Sequence, residues 1–191
     1  MLKWMKRAGC YSIAYGVESI GERVLQRIQK GIHVGEVLNA FKWTKESGIH
    51  SRAMLMVGNL GEDQDSINAT CEFIQKCRPD TIQVSITMIL PGTSLYREVC
   101  KQGYISDNFW LDDKPAPYNT MEHPLRTLKQ WEDMLLMTHA EGIEKILRIL
   151  RYALEAITGI RITKNWIDLY HGNKLVNRWL LPLGTKHVSA G

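Results

Sequence analysis

A carboxylate stands at the end of the first predicted strand, where it could bind a ligand or transfer a proton. The strand reads IAYGVES over residues 13–19, and its period of two places Ala14, Gly16 and Glu18 on one face. Small residues leading to an acid at the carboxyl end of a strand are typical of ligand sites at the mouth of a parallel sheet or barrel. The other interpretation is a strand that ends in a solvated Glu18.

Two later strands carry further candidate contacts on one face. Both faces of a strand in a parallel sheet are normally covered, so a polar face there predicts a wet interior such as a substrate chamber. The third strand has such a face, made of Gln83, Ser85 and Thr87. In the second strand, the residues that would face the same interior are Met54, Met56 and Gly58. The alternative for the third strand is a position at the sheet edge, with its polar residues facing water.

Hydrophobic periodicity and helix stop signals predict three strand-then-helix units. The strands fall at about residues 11–18, 51–57 and 81–89. Helices are predicted at about residues 21–30 and 34–47, and two more end near Lys76 and Lys101, capped by Asp65 or Ser66 and by Thr93 or Ser94. This alternation predicts an α/β fold with a parallel sheet. The polar interior favours a partial (βα) barrel over a doubly wound sheet.

The remainder of the chain divides into two predicted regions. Residues 106–141 hold a proline-rich loop and a helix that begins near Pro124 or Leu125, and we expect them to pack on the barrel. Residues 142–191 are predicted to form a basic helical extension, with 8 Lys or Arg against 3 Asp or Glu. An apolar stripe between Ile143 and Ile157 predicts a helix there. That helix either packs on the domain or binds a membrane surface or a partner.

Composition narrows the class of protein. With 191 residues, 45% of them hydrophobic, the chain can bury a sizeable core. It lacks a run of about 18 apolar residues, so no membrane span is predicted. Four widely spaced cysteines match no zinc pattern, which predicts no metal site and reduced thiols in a cytoplasmic protein. The net charge of +4 comes from the C-terminal region, as a solvated basic face or as a surface for an anionic partner.

Three stretches resemble consecutive βα units of the radical S-adenosylmethionine (SAM) enzymes. The fourth unit is similar to AGCYSIAYGVESIGERVLQRIQKGI, the fifth to MLMVGNLGEDQDSI, and the sixth to SITMILPGTSLYREVCKQGYI. The resemblance covers about residues 1–105, the C-terminal half of the barrel. It is strongest to the subgroup with a cobalamin-binding domain, which includes the anaerobic magnesium-protoporphyrin monomethyl ester cyclases.

The resemblance implies a cofactor-dependent enzyme. In this family a partial (βα)6 barrel holds a [4Fe–4S] cluster on three cysteines, and SAM binds the remaining iron. One electron cleaves SAM to a 5′-deoxyadenosyl radical that abstracts hydrogen from the substrate, while the fold orients the reactants. In the cobalamin subgroup, methyl transfer is the other expected reaction.

The resemblance places the SAM ribose at the end of the first strand of this chain. Glu18 and Ser19 match the ribose-binding end, and Gly16 leaves room for the ligand above it. A carboxylate can accept hydrogen bonds from both ribose hydroxyls, whereas a structural N-cap role is the plainer alternative for Glu18. The residues implied to face the substrate chamber are Gln83, Ser85 and Thr87.

The turn after the second strand is implied to contact the adenine and methionine parts of SAM. Gly58 and Gly61 would let the backbone approach the ligand closely, with Met56 beneath the adenine. Pro91 shapes the exit of the third strand. Glu62 is interpreted as an acid that caps the following helix, where the helix dipole favours negative charge.

The family's CxxxCxxC motif does not occur in this sequence. We therefore expect this polypeptide alone to be inactive, with the cluster and cobalamin held by an N-terminal barrel half absent from it. Residues 2–7 read as the end of a crossover helix, which also predicts a truncated N-terminus. That half, on the same gene or a separate chain, and a small-molecule substrate are the expected partners. The alternative function is a non-catalytic small-ligand module whose basic tail binds RNA, a protein or a membrane.

Overall fold

The computed structural model describes residues 1–111 and 117–158. The described helices and strands are α1 (Leu2–Arg7), β1 (Ser12–Glu18), α2 (Glu22–Arg27), α3 (Val34–Glu46), β2 (His50–Val57), α4 (Gln64–Cys77), β3 (Thr81–Ile86), α5 (Ser94–Lys101), α6 (Leu125–His139) and α7 (Gly142–Thr158). A short 3₁₀ helix lies at Asp107–Leu111. The predicted RNA, protein or membrane contact of the basic tail, from residue 159 on, lies outside the described residues.

The three strands form one parallel sheet in the order β1-β2-β3. The strand-then-helix order produces this arrangement, because parallel neighbours need a crossover connection. In register, Gly16 of β1 lies beside Met54 of β2, and Met54 lies beside Gln83 of β3. The predicted α/β class with a parallel sheet is therefore confirmed.

One face of the sheet carries the core. Leu55 and Val57 of β2 are fully buried, and Val84 of β3 is buried as well. They pack against apolar side chains from helices α3, α4 and α6, which are Val37, Phe41, Ile67, Phe73, Ile74, Leu128, Trp131 and Leu135. A Tyr15–Phe41–Phe73 aromatic cluster extends this core, with ring centroids 5.0 and 5.4 Å apart. Helix α6 begins at Leu125, as predicted, and packs on β3 and β2.

The opposite face of the sheet, which we call the open face, is not covered by any of the helices α1–α6. Its exposed residues are Ala14, Gly16, Arg52, Met54, Gln83 and Ser85. The predicted division of each strand into an apolar and a second face is thus observed in all three strands.

Two predicted boundaries are wrong. The third strand ends at Ile86, because residues 87–89 turn to pair with a later segment: Met88 forms an antiparallel bridge with Tyr118. The cap of α4 is Asp63, whose side chain accepts from the Ser66 amide, so the helix begins before Asp65. The predicted Thr93 cap of α5 is confirmed by its bond from the Tyr96 amide, 3.1 Å.

The chain forms two units, of which the first is Met1–His139 and the second begins at Ala140. The second unit contains α7, the helix predicted from the apolar stripe. Its polar side holds a Glu144–Arg148 ion pair of 2.8 Å. Its exposed apolar side chains, each 42–81% accessible, are Ile146, Ile149, Leu150, Leu154 and Ile157. Among the described residues, no helix combines the length and apolar character of a membrane span.

Candidate ligand site at the carboxyl ends of the strands

Glu18 ends β1 in an unusual backbone conformation. Its φ is 64°, in the left-handed region that non-glycine residues rarely adopt. The pairing with β2 is irregular at the same place, since Gly16 pairs with Met54 while Glu18 pairs with Leu55. This local bulge redirects the Glu18 side chain. Strained backbone of this kind concentrates at ligand sites.

The Glu18 carboxylate forms an ion pair with Lys30. Lys30 Nζ lies 3.0 Å from Glu18 Oε1, and the two side chains are only 31% and 21% exposed. The pair lies over Gly16, because a Cβ added to Gly16 would lie 3.0 Å from Glu18 Oε1 and 3.3 Å from Lys30 Nζ. Glycine therefore makes room for the charged groups above the sheet, whereas room for a ligand at Gly16 stays a prediction.

Ser19, also predicted to contact ribose, does not lie beside that pair on an exposed surface. It is 1% exposed, and its hydroxyl accepts a hydrogen bond from the Gly21 amide, 3.2 Å away. This bond satisfies an amide at the entry of α2. Ser19 therefore shapes the connection from β1 to α2 rather than offering its hydroxyl to the open face.

The two methionines of β2 continue the open face next to Gly16. Met54 is 39% exposed, and Met56 is half-buried one step nearer the carboxyl end. Met56 lies beside Ser85 of β3 in the sheet register. A flexible, polarisable side chain suits the flat surface of an aromatic base. The structure thus brings Gly16, the methionines and two of the predicted chamber residues onto one surface.

The remaining chamber residue, Thr87, is buried instead of exposed. Its Oγ1 donates to Asn59 Oδ1, 3.2 Å away, and its amide donates to the Val57 carbonyl, 2.8 Å. Thr87 therefore stabilises the carboxyl end of the sheet through buried hydrogen bonds and does not line the open face. Pro91 is exposed in the turn that leads into α5.

The turn after β2, residues 58–62, needs two glycines. Gly58 and Gly61 have φ of 86° and 76°, which an L side chain would strain. A Cβ on Gly58 would also lie 3.1 Å from Leu128 Cδ1 in α6. The turn therefore depends on glycine for its conformation and for its contact with the core.

The predicted helix-cap role of Glu62 is wrong. Glu62 does not cap α4; its Oε2 accepts the Gly58 amide at 2.5 Å and the Asn59 amide at 3.3 Å. The side chain is nearly fully buried. Burial raises the pKa of Glu62 to about 7, although the two amide bonds oppose that rise. Glu62 thus holds the turn from within.

Two other side-chain contacts, those of Lys30 and Asp80, were not predicted from the sequence. Lys30 follows Glu18 by 12 residues and lies beyond helix α2, a spacing that predicts no particular contact. Asp80, just before β3, binds the amide and hydroxyl of Ser51 at 2.7 and 2.9 Å. Burial raises the pKa of Asp80, but these bonds outweigh it and leave that pKa below its usual value. Asp80 joins the amino ends of β2 and β3, away from the candidate site.

The described residues contain no cluster of three or more His, Cys, Asp or Glu side chains that could hold a metal ion. The four cysteines are unpaired. Cys10 precedes β1, Cys71 and Cys77 belong to α4, and Cys100 to α5. These residues do not fit the ligand set of an iron–sulfur cluster.

Three of the curated proteins that are similar to this chain carry different names. An uncharacterized methyltransferase of Pyrococcus horikoshii is 31% identical over 146 residues, which are 76% of this chain and 29% of that protein. Human Elongator complex protein 3 is 33% identical over 99 residues, which are 50% of this chain and 18% of that protein. The anaerobic magnesium-protoporphyrin IX monomethyl ester cyclase of Cereibacter sphaeroides is 26% identical over 107 residues, covering 56% and 18%. The chain spans less than a third of each of these relatives.

A solved structure shares the fold. Elp3 of the archaeon Methanocaldococcus infernus matches with a TM-score of 0.50 and 17% identity, over 84% of this chain and 39% of its own. No protein-family model matches the chain. At that identity the structural likeness concerns the fold alone.

Proposed function

Because this chain is a relative of the radical SAM enzymes and resembles their C-terminal half, we propose that its open face binds the adenosyl part of S-adenosylmethionine. The observation that carries the proposal is the Glu18–Lys30 pair held over Gly16 at the carboxyl end of β1. Ligands of parallel sheets bind at this end of the strands.

In this proposal Glu18 is a binding carboxylate for the ribose. Its two oxygens can accept bonds from the two ribose hydroxyls, and bonds to a charged acceptor are the stronger ones. Lys30 holds the carboxylate in one orientation before the ligand arrives. The bulge at Glu18 aims the side chain, so the backbone strain is offset by the ligand bond it prepares.

The adenine side of the proposed site is the row formed by Met56 and the glycine turn. Met56 would offer an apolar surface to the base, beside the turn that Gly58 and Gly61 shape through their positive φ. Beyond the adenosyl group, Gln83 and Ser85 would meet the substrate. Thr87, which is buried against Asn59, would support this chamber rather than line it.

We propose further that the sheet is part of a radical SAM barrel in the whole protein, and that the protein works in the cytoplasm. The [4Fe–4S] cluster would be held by a different part of the barrel, on the same polypeptide or on a partner chain, since the cysteines described here do not fit it. The methyltransferase name of one relative supports methyl transfer as the reaction. Cobalamin dependence rests on the resemblance in sequence to the cobalamin subgroup.

Binding of SAM to the ¹⁵N-labelled chain tests the adenosyl site by NMR. We expect shifts of the Gly16 and Gly58 amides, and an affinity about tenfold lower for Glu18→Gln, which loses one charged acceptor. Glu72→Gln, on the exposed side of α4, is the matched control and should bind like the wild type. Shifts confined to the helix-covered side, or equal affinities for the two variants, would refute the proposal.

A further inference from the structure

A segment outside the resembling region holds the glycine turn in place. Residues 117–123, here called the strap, lie just before α6 and run along the turn at residues 58–62. The Asn119 amide group donates to the Gly58 carbonyl at 2.8 Å. The Gly61 amide donates to Glu122 Oε2 at 2.5 Å, and His123 Nε2 lies 2.8 Å from the Glu62 carbonyl oxygen.

The three contacts have one register. In each pair the two residues are 61 positions apart in the sequence. The strap and the turn therefore run side by side in the same direction over five residues. Three bonds with a constant offset describe one continuous contact between two segments rather than isolated surface bonds.

The strap is itself anchored to the end of β3. The Asn119 backbone amide donates to the Thr87 carbonyl, and the Ile89 backbone amide donates to the Pro117 carbonyl, both at 2.8 Å. His123 also packs edge-on against Trp131 of α6, with ring centroids 4.6 Å apart. The strap thus ties the turn to the third strand and to the helix layer.

Together with Glu62, the strap occupies backbone groups at both ends of the turn. Glu62 holds the Gly58 and Asn59 amides, and the strap holds the Gly58 and Glu62 carbonyls and the Gly61 amide. Glycines with positive φ give a turn little stiffness of its own. A turn of this composition keeps one shape only if its surroundings impose it.

We propose that the strap is a positioning element of the adenosyl site, with Asn119, Glu122 and His123 as its positioning residues. This inference rests on the proposed function. The strap would fix the turn before the ligand binds, so that binding does not have to order the glycines. Because the strap also bonds to residues 87–89, the adenosyl side and the substrate side of the site would be held by one segment.

Glu122 offers the sharpest test, because its side chain is 36% exposed and its loss should leave the fold intact. In Glu122→Ala the Gly61 amide loses its acceptor. We expect its hydrogen exchange to accelerate by about tenfold, and the affinity for SAM to fall by a factor of about three to ten. The thermal midpoint should change little.

Two further variants separate positioning from general stability. Glu122→Gln keeps an acceptor oxygen but loses the charge that faces Arg27 at 4.0 Å, and it should restore both exchange and affinity. Glu98→Ala, on the exposed surface of α5 where the carboxylate accepts from the Gln102 side-chain amide at 2.6 Å, should resemble the wild type in both.

The outcomes are distinguishable. Unchanged exchange at Gly61 in Glu122→Ala would overturn the strap as the holder of the turn. Faster exchange with unchanged SAM affinity would overturn its positioning role while leaving the proposed function standing. A wild-type chain that binds no SAM would overturn the proposed function and the positioning role, whatever the exchange rates.

Discussion

The two faces of β2 differ sharply in exposure. On the helix-covered face, Ala53, Leu55 and Val57 are at most 1% exposed. On the open face, Met54 between them is 39% exposed and Arg52 is exposed as well. Neighbouring residues of one strand therefore meet opposite environments, because successive side chains point to opposite sides of the sheet.

This difference separates residues that stabilise the fold from residues of the proposed ligand surface. The covered face buries aliphatic side chains against three helices, which is the main favourable contribution to folding. The open face bears small, polar and flexible residues, with an ion pair above a glycine. Parallel sheets are normally covered on both faces, so the open face marks where a ligand or further protein would lie.

The largest expected effect contrasts Leu55→Ala with Met54→Ala. Removing a fully buried leucine side chain should cost about 2–5 kcal/mol of the free energy of unfolding, through lost burial and the cavity left behind. Met54→Ala should cost less than about 1 kcal/mol, because that side chain is already partly in water. Urea unfolding of the two variants measures both values. Similar losses would show that the open face is packed as tightly as the covered one.

A second effect concerns the buried Glu62 carboxyl, which accepts hydrogen bonds from the turn after β2. The pKa of Glu62 is about 7 in the folded chain against 4.5 for the free side chain. A raised pKa means that the folded state keeps a proton that the unfolded state has lost. Stability from this group is therefore complete below about pH 4.5 and is lost as the pH rises to about 7, by about 3 kcal/mol.

Glu62→Gln should remove this decline, since an amide keeps an acceptor for the Gly58 and Asn59 amides and does not ionise. The measurement is the free energy of unfolding at several pH values between 4.5 and 8, for wild type and variant. Glu72→Gln, at an exposed glutamate, should retain the wild-type slope. A wild-type curve parallel to that of Glu62→Gln would mean that folding does not raise the pKa of Glu62.

Sequence patterns predicted the sheet better than they predicted the site. Alternation along β2 and β3 identified both faces, because each strand's burial repeats every two residues. The end of β3 was missed, since it depends on Tyr118, about thirty residues later, pairing with Met88. Local propensity carries no information about such a contact.

Sequence patterns located candidate site residues where one residue type has one geometric use. Gly16 and Glu18 were identified because a small residue and an acid alternate on one strand face. Glu62 was assigned to the helix because an acid there usually caps, and only the fold shows that its neighbour Asp63 does so. Lys30 and the strap were missed because their partners lie across turns whose direction the sequence does not specify.

The smallest expected effects come from the backbone at Glu18 and Arg78, two residues with positive φ, 64° and 44°. Glycine relieves such strain, so Arg78→Gly, at the end of α4, should stabilise the chain by about 0.5–1 kcal/mol and leave SAM affinity unchanged. Glu18→Gly gains the same relief but loses the pair with Lys30, which is worth about 0–1 kcal/mol, so its stability should barely change.

The two glycine variants therefore differ in binding and hardly in stability, which denaturation curves and SAM titrations measure side by side. If Glu18→Gly destabilises the chain by well over 1 kcal/mol, the Glu18 carboxylate stabilises the fold as Leu55 does. The assignment of stability to the covered face and of ligand binding to the open face would then be wrong. If it leaves stability intact and lowers SAM affinity, the strain at Glu18 serves the ligand. A residue kept in a strained conformation without benefit to the fold is best explained by what it binds.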